Sequence, residues 1–110
     1  PTARDRSPDM DSQRLVMALK SAAEPTRLRI LVLLKQGELS VKDLTRLLGQ
    51  SQPRISRHLK LLAEAGLIER VREGSWAYFH LADGAAMGLV GRLIADAIEP
   101  ADKLVAAANP

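Results

Sequence analysis

The apolar positions of this chain recur with two different periods, and the change from one to the other marks its architecture. Over residues 40–66 the period is helical. Val41, Leu44, Leu47 and Leu48 form a stripe at spacings of three, three and one. Ser40 precedes the stripe as an N-cap, and Asp43 three residues later completes a capping-box pattern. Gly49-Gln50 interrupts it. Ser51 then caps a second helix whose first turn tolerates Pro53, because an N–H there would have no helical partner in any case. That helix buries Ile55, Leu59 and Leu62 and ends at Gly66, placed to be a left-handed C-cap. Over residues 67–81 the period falls to two. Leu67 to Arg72 and Ser75 to Leu81 flank a Glu73-Gly74 turn, the pattern of a β-hairpin. Trp76, Tyr78 and His80 alternate with Ala77, Phe79 and Leu81, so one face can pack on the helices while the other meets solvent.

The flanking segments are helical as well. Asp11 to Ala23 places Leu15, Val16 and Leu19 on one face, with Ala18 and Ala22 allowing close approach. Pro25 opens a helix dense in Leu28, Ile30, Leu31, Val32, Leu33 and Leu34; being apolar on most sides, it is expected at the centre of the core. Glu24 stands at its cap position, a weaker cap than Asp. Gly84 to about Ile98 offers Met87, Leu89, Val90, Leu93, Ile94 and Ala97. We expect Leu15, Val16, Leu19, Leu89, Val90, Leu93, Ile94 and Ala97 to form a dimer interface, the alternative being that both terminal helices complete the monomer core. At 110 residues there is room for one core, and domains of this size often gain from dimerisation. The expected fold class is mainly α with a β-hairpin wing (α+β), a winged helix-turn-helix. Residues 1–10 form a disordered arm and 11–100 the domain, with the motif at 40–66, the wing at 67–81 and a dimerisation helix at 84–98. Pro100 stops or kinks that helix, and 101–110 are a weakly ordered tail. Starting at Pro1 rather than Met, the chain reads as processed or trimmed.

The second helix of the motif makes DNA the first partner to consider. With Ile55 at zero and about 100° per residue, Leu59 and Leu62 fall within roughly 40° of it. Pro53, Arg57 and Lys60 fall near the opposite side, with Arg54 and Ser56 on the flanks. Gln52 occupies the first turn, where a recognition helix meets base edges. Arg can pair bidentately with guanine and Gln with adenine, while Ser and Lys more often hold phosphates. Arg70 and Arg72 share one face of the hairpin and would lie along the sugar-phosphate backbone or enter a minor groove. The expected DNA-binding set is therefore Ser51, Gln52, Arg54, Ser56, Arg57, Lys60, Arg70 and Arg72. Each has a plainer reading: a solvated charged face for the helix, and charge that blunts an edge against aggregation for the hairpin. His58, roughly 60° off the apolar stripe, is read as hydrogen-bonded at the helix–wing boundary, with a phosphate contact as the alternative.

Charge placement agrees. The formal net charge is +3, but Lys42 to Arg72 carries seven basic residues against three acidic ones, and Asp83 onward two against four. Basic charge over the motif is the footprint of a nucleic-acid face. No apolar run is long enough to span a bilayer and no signal-like segment is present, so no membrane partner is expected. Absence of cysteine excludes disulfides and fits a cytoplasmic protein. With no paired carboxylate near a histidine, no nucleophile beside a base and no glycine-rich nucleotide loop, neither enzymatic activity nor a cofactor is expected.

Several segments in order resemble the ArsR-type family of bacterial winged helix-turn-helix repressors, over roughly residues 11–100. They are Leu19-Lys20-Ser21-Ala22-Ala23-Glu24-Pro25-Thr26-Arg27-Leu28-Arg29-Ile30-Leu31, Gly37-Glu38-Leu39-Ser40-Val41, the run from Ser51 to Leu62, Ala65-Gly66-Leu67-Ile68, and Arg72-Glu73-Gly74-Ser75-Trp76-Ala77-Tyr78. The resemblance implies a homodimer that binds a palindromic operator on double-stranded DNA and releases it when an effector binds. Where arsenic and cadmium sensors of the family carry a cysteine pair, after Glu38-Leu39, this chain has Ser40, Val41 and Lys42. Thiolate binding of soft metals is thereby excluded. His58 and His80 have no ligand cluster beside them, and the last helix offers only Asp96, Glu99 and Asp102, so no metal site is expected. The segment from Leu47 to Glu69 also resembles regulator modules found ahead of S-adenosylmethionine-dependent methyltransferases, and repressors that sense S-adenosylhomocysteine. This implies a possible small-molecule effector, with no effector-binding residue assigned. Two alternatives stay open: a winged-helix module that binds protein, and an N-terminal non-catalytic domain of a methyltransferase fusion.

Overall fold

Helix α2 (Pro25–Lys35) is the element around which the others assemble, because Ile30, Leu31, Val32, Leu33 and Leu34 are all buried in succession and leave it no solvent side over that stretch. The computed structural model describes residues 12–84, 88 and 90–92. Around α2 lie α1 (Ser12–Ala22), β1 (Leu39–Ser40), α3 (Val41–Leu48), α4 (Gln52–Glu64), β2 (Ile68–Glu73) and β3 (Trp76–Leu81). The strands form an antiparallel sheet in the order β1-β3-β2, with Leu39 opposite Phe79 and Arg70 opposite Phe79 on the other side. Leu44, Ile55, Leu59, Leu62, Leu67 and Phe79 bring α3, α4 and the hairpin into the same core as α2. Fully burying each large apolar side chain contributes about 1.5–3 kcal/mol. The fold class read from periodicity is the one observed.

Strand β1 has two residues, too few to show any period, and its last residue also starts the next helix. Ser40 Oγ accepts from the Asp43 N–H at 3.1 Å, and Asp43 Oδ2 accepts from the Ser40 N–H at 3.1 Å. This reciprocal capping box fixes the first turn of α3 against the sheet. The bond from the Ser40 backbone, then that from its hydroxyl, holds the Asp43 carboxyl below the usual range, with Arg46 adding to the effect. Gly49 closes α3 in the left-handed region. Helix α4 is C-capped by Ala65, and Gly66 at φ +78° lets the Leu67 N–H return to the Leu62 carbonyl at 3.0 Å. The hairpin turn sits one residue later than the sequence suggests. Glu73 pairs with Trp76, so the loop is Gly74-Ser75. Gly74 (φ +63°) takes the first loop position, which in a two-residue turn of this kind favours glycine.

The α2–α4 contact carries a polar interlock. Arg27, on α2, donates through Nε to the Ser21 carbonyl of α1 at 2.6 Å and lies with Nη1 3.2 Å from His58 Nδ1 of α4. Its backbone N–H donates to Glu24 Oε1 at 2.8 Å, so Glu24 works as the cap of α2 despite its extra methylene. Gln50, in the turn between α3 and α4, donates to Thr26 Oγ1 at 2.9 Å. The expectation that His58 bonds at the helix–wing boundary is corrected: the ring faces the first turn of α2, and Glu24 Oε1 is 4.0 Å away. A guanidinium can only donate, so Nδ1 is the acceptor and the neutral ring keeps its proton on Nε2. Burial pushes the His58 pKa below its ordinary value; Glu24 opposes this, while Arg27, Arg54 and Arg57 reinforce it.

The terminal helices differ from expectation in detail. Ala18 and Ala22 face the core, whereas Val16, Met17 and Leu19 are 49%, 52% and 40% exposed; Leu15 is half-buried. Val90, expected between subunits, is 3% exposed within the single chain, because it turns inward onto the core. It is assigned to the monomer core. Gly88, Val90, Gly91 and Arg92 are helical. Leu89, Leu93, Ile94 and Ala97, the arm 1–10 and the tail 101–110 lie outside the described residues.

Two outcomes are expected. Ser40→Ala removes a buried cap and lowers unfolding free energy by about 1 kcal/mol in urea titration, whereas Ser51→Ala, an exposed cap with a 3.4 Å bond, costs less. For His58 the folded pKa lies below the unfolded one, so the unfolded chain takes up a proton first as pH falls. Stability therefore declines as pH drops from the ordinary value of 6.5 toward the folded pKa. Urea midpoints between pH 8 and pH 5 should fall less steeply in His58→Gln than in the wild type.

Candidate nucleic-acid interface

Burial of Ile55, Leu59 and Leu62 fixes which way α4 faces. Ser51, Gln52, Arg54, Ser56, Arg57 and Lys60 are all exposed as a result, as are Arg70 and Arg72 on β2. Ser51 keeps its hydroxyl oxygen on its own helix, accepting from the Arg54 N–H. Period-two alternation puts Arg70 and Arg72 on the sheet face of their cross-strand partners Phe79 and Ala77, the face turned to α4. An open groove of about 390 Å³ results, with Gln52, Ser56 and Lys60 on one wall, Arg70 on the other, and Leu59 and Phe79 at the floor. Arg54, Arg57 and Arg72 are exposed but do not line it.

Two acidic residues of this segment, Asp43 and Glu69, are engaged elsewhere. Asp43 is tied to Ser40 and to Arg46, whose Nη2 lies 3.2 Å away. Glu69 faces its cross-strand neighbour His80, with Oε1 3.6 Å from Nε2, while His80 Nδ1 lies 2.8 Å from the Leu81 carbonyl. Among the described residues, none of Arg54, Arg57, Lys60, Arg70 and Arg72 forms an ion pair with a carboxylate. Five cations without carboxylate partners, disposed along a helix and the strand beside it, suit a polyanion such as duplex DNA: guanidiniums match phosphates and guanine edges, and Gln52 matches adenine.

Sequence reasoning missed residues that position this face or extend it. Arg27 and Gln50 hold α4 and its entry turn on α2; their signal was polarity beside an otherwise apolar element. Lys42 and Trp76 border a second groove, of about 370 Å³, between α3 and the wing. An exposed indole at a hairpin tip was visible in the alternation of β3, but which side the tip turns to was not. Among the described residues no group of three or more His, Cys, Asp or Glu could hold a metal ion, and no helix is long and apolar enough to cross a membrane.

Residues 24–70 match the family "bacterial regulatory protein, arsR family". The chain is 48% identical over 67 residues to the arsenical resistance operon repressor of Escherichia coli, an alignment covering 60% of this chain and 57% of that protein. It thus spans little more than half the length of that relative, and 52% of an arsenic resistance regulator from Pseudomonas putida. Its similarity to the biofilm growth-associated repressor of Agrobacterium fabrum is 36% over 90 residues, covering 82% of this chain and 77% of that one. In three dimensions it is similar to the homodimeric winged helix-turn-helix DNA-binding domain of a possible ArsR-family regulator from Mycobacterium bovis, at TM-score 0.68 and 31% identity over 76% of this chain and 80% of the other. By fold, motif and relatives alike, the chain belongs to the ArsR family of bacterial regulatory proteins.

Proposed function

We propose that the chain is a DNA-binding transcriptional repressor, without enzymatic activity, that acts as a homodimer on a palindromic operator. The observation that carries this reading is the exposure of Arg54, Arg57 and Lys60 on α4 and of Arg70 and Arg72 on the wing, none of them paired with a carboxylate among the described residues. Gln52 and Arg57 are assigned to base edges, Ser56 and Lys60 to phosphates, and the wing arginines to the backbone beside them. Relatives named as repressors support the regulatory sense of the binding.

The homodimer is supported by α1, whose Val16, Met17 and Leu19 present an apolar strip on the outside of a single chain. A strip of this kind on a small monomer calls for a partner, and the solved relative from M. bovis is homodimeric. Leu89, Leu93, Ile94 and Ala97 are proposed to complete the interface from the last helix. Each subunit then occupies a half-site, with centres about one helical turn apart or a multiple of it. The effector is proposed to be a small molecule other than a thiolate-bound metal, since these 110 residues contain no cysteine; S-adenosylhomocysteine is the candidate the sequence resemblance supplies.

The test is fluorescence anisotropy of a labelled duplex from the region upstream of the protein's own gene, with S-adenosylhomocysteine titrated in. Specific binding released by the ligand supports both parts of the proposal. Binding that ignores the ligand removes that effector, and no preference over random DNA favours a protein-binding winged helix instead. Arg57→Ala should weaken operator binding by roughly 1–3 kcal/mol relative to random sequence if Arg57 reads a base. If it holds only a phosphate, the loss is uniform across sequences and the salt slope falls by about one. Val16→Glu combined with Leu19→Glu should shift the mass measured by light scattering from twice the chain's 12.0 kDa to the single value, with little change in helix content.

A further inference from the structure

We propose that the groove between α3 and the wing tip is a second backbone-binding site, in which Trp76 packs on a deoxyribose whose adjoining phosphate is held by Lys42. This rests on the DNA-binding reading above and extends it to residues outside α4 and β2. Trp76 is 59% exposed, the most exposed large apolar side chain among the described residues. Leaving an indole in water forgoes the stabilisation its burial would bring, and tryptophan so placed is typical of a contact residue. It does not stand alone. Trp76 lines the groove with Lys42 and Thr45 of α3, Gln52 at the start of α4, and Ser75 of the wing loop.

Gln52 also lines the groove that holds Lys60 and Arg70. The two grooves meet at this residue, so a strand approaching the first turn of α4 passes the second groove as well. No carboxylate lines either one. Glu73, the cross-strand partner of Trp76, is exposed but lies outside the lining, and Asp43 is engaged with Ser40 and Arg46. The Thr45 hydroxyl donates to the Lys42 carbonyl at 2.8 Å and is not a free donor. The donors left are the Lys42 ammonium, the Gln52 amide, the Ser75 hydroxyl and the indole N–H. An apolar wall beside a cation and small donors matches the alternation of sugar and phosphate along a nucleic-acid strand.

Trp76 is the chain's single tryptophan, so its emission reports this site alone. The experiment titrates the full chain with a duplex from its own upstream region, following dye anisotropy on the DNA and acrylamide quenching of Trp76 in the same samples. The expected result is that quenching falls at least about twofold over the same concentration range as the anisotropy rise, because the sugar excludes water from the indole. Trp76→Ala should weaken binding roughly tenfold and Trp76→Phe less. Lys42→Gln should lower the salt slope by about one. An anisotropy rise with unchanged quenching, or a Trp76→Ala variant of unchanged affinity, overturns the proposal while DNA binding stands. No anisotropy rise at all overturns the DNA reading, and this inference with it. The quenching measurement uses the wild-type chain, so the test does not depend on any variant folding.

Discussion

A helix that presents several unpaired cations to solvent must be held in place by something other than those charges. In this chain the hold comes from Ile55, Leu59 and Leu62, buried in the common core, and from one guanidinium that ties α4 to α2. Arg27 joins α1 through the Ser21 carbonyl and α4 through His58, while its own amide is capped by Glu24. Gln50 adds a bond from the entry turn to Thr26. The apolar seam sets which face of α4 is outward, and directional bonds near its start resist rolling and sliding. Displacing α4 would move Gln52, Ser56, Arg57 and Lys60 together, so the geometry of the exposed face depends on a contact beneath it.

The same separation between buried support and exposed charge appears at α3. Ser40, the last residue of β1, is a buried cap bonded both ways with Asp43. Its place makes it a joint between the sheet and the first helix of the motif. Similarity to arsenical resistance repressors carries the fold and the regulatory class.

Most of the fold was legible because it rests on periodicity and caps. The stripe through Ile55, Leu59 and Leu62, the capping box at Ser40 and the glycine at 66 are local patterns with local causes, and each appears where the sequence placed it. The errors arose where the outcome depends on distant neighbours. A two-residue β1 has no period to read, and it exists because β3 offers a partner at Tyr78 and Phe79. His58 reads from sequence as hydrogen-bonded at the helix–wing boundary but meets Arg27 of α2, because an angle on a helical wheel names a direction and not what lies there. Val90 is buried in its own chain rather than left for an interface, and an apolar residue on a terminal helix looks the same in sequence either way. The outward set on α4 and β2 followed from alternation alone, but the groove that joins Lys60 to Arg70, and the one beneath Trp76, needed the hairpin docked.

The central claim is that duplex DNA is met by the first half of α4 together with the wing, supported from beneath by α2. The most direct measurement is a backbone amide chemical-shift map of the isotope-labelled protein, taken with and without the upstream duplex. The account predicts the largest shifts from Gln52 to Lys60 and from Arg70 to Trp76, with Ile30 to Leu34 of α2 nearly unchanged. Shifts centred on α1, with the amides of α4 and the wing unmoved, would contradict it.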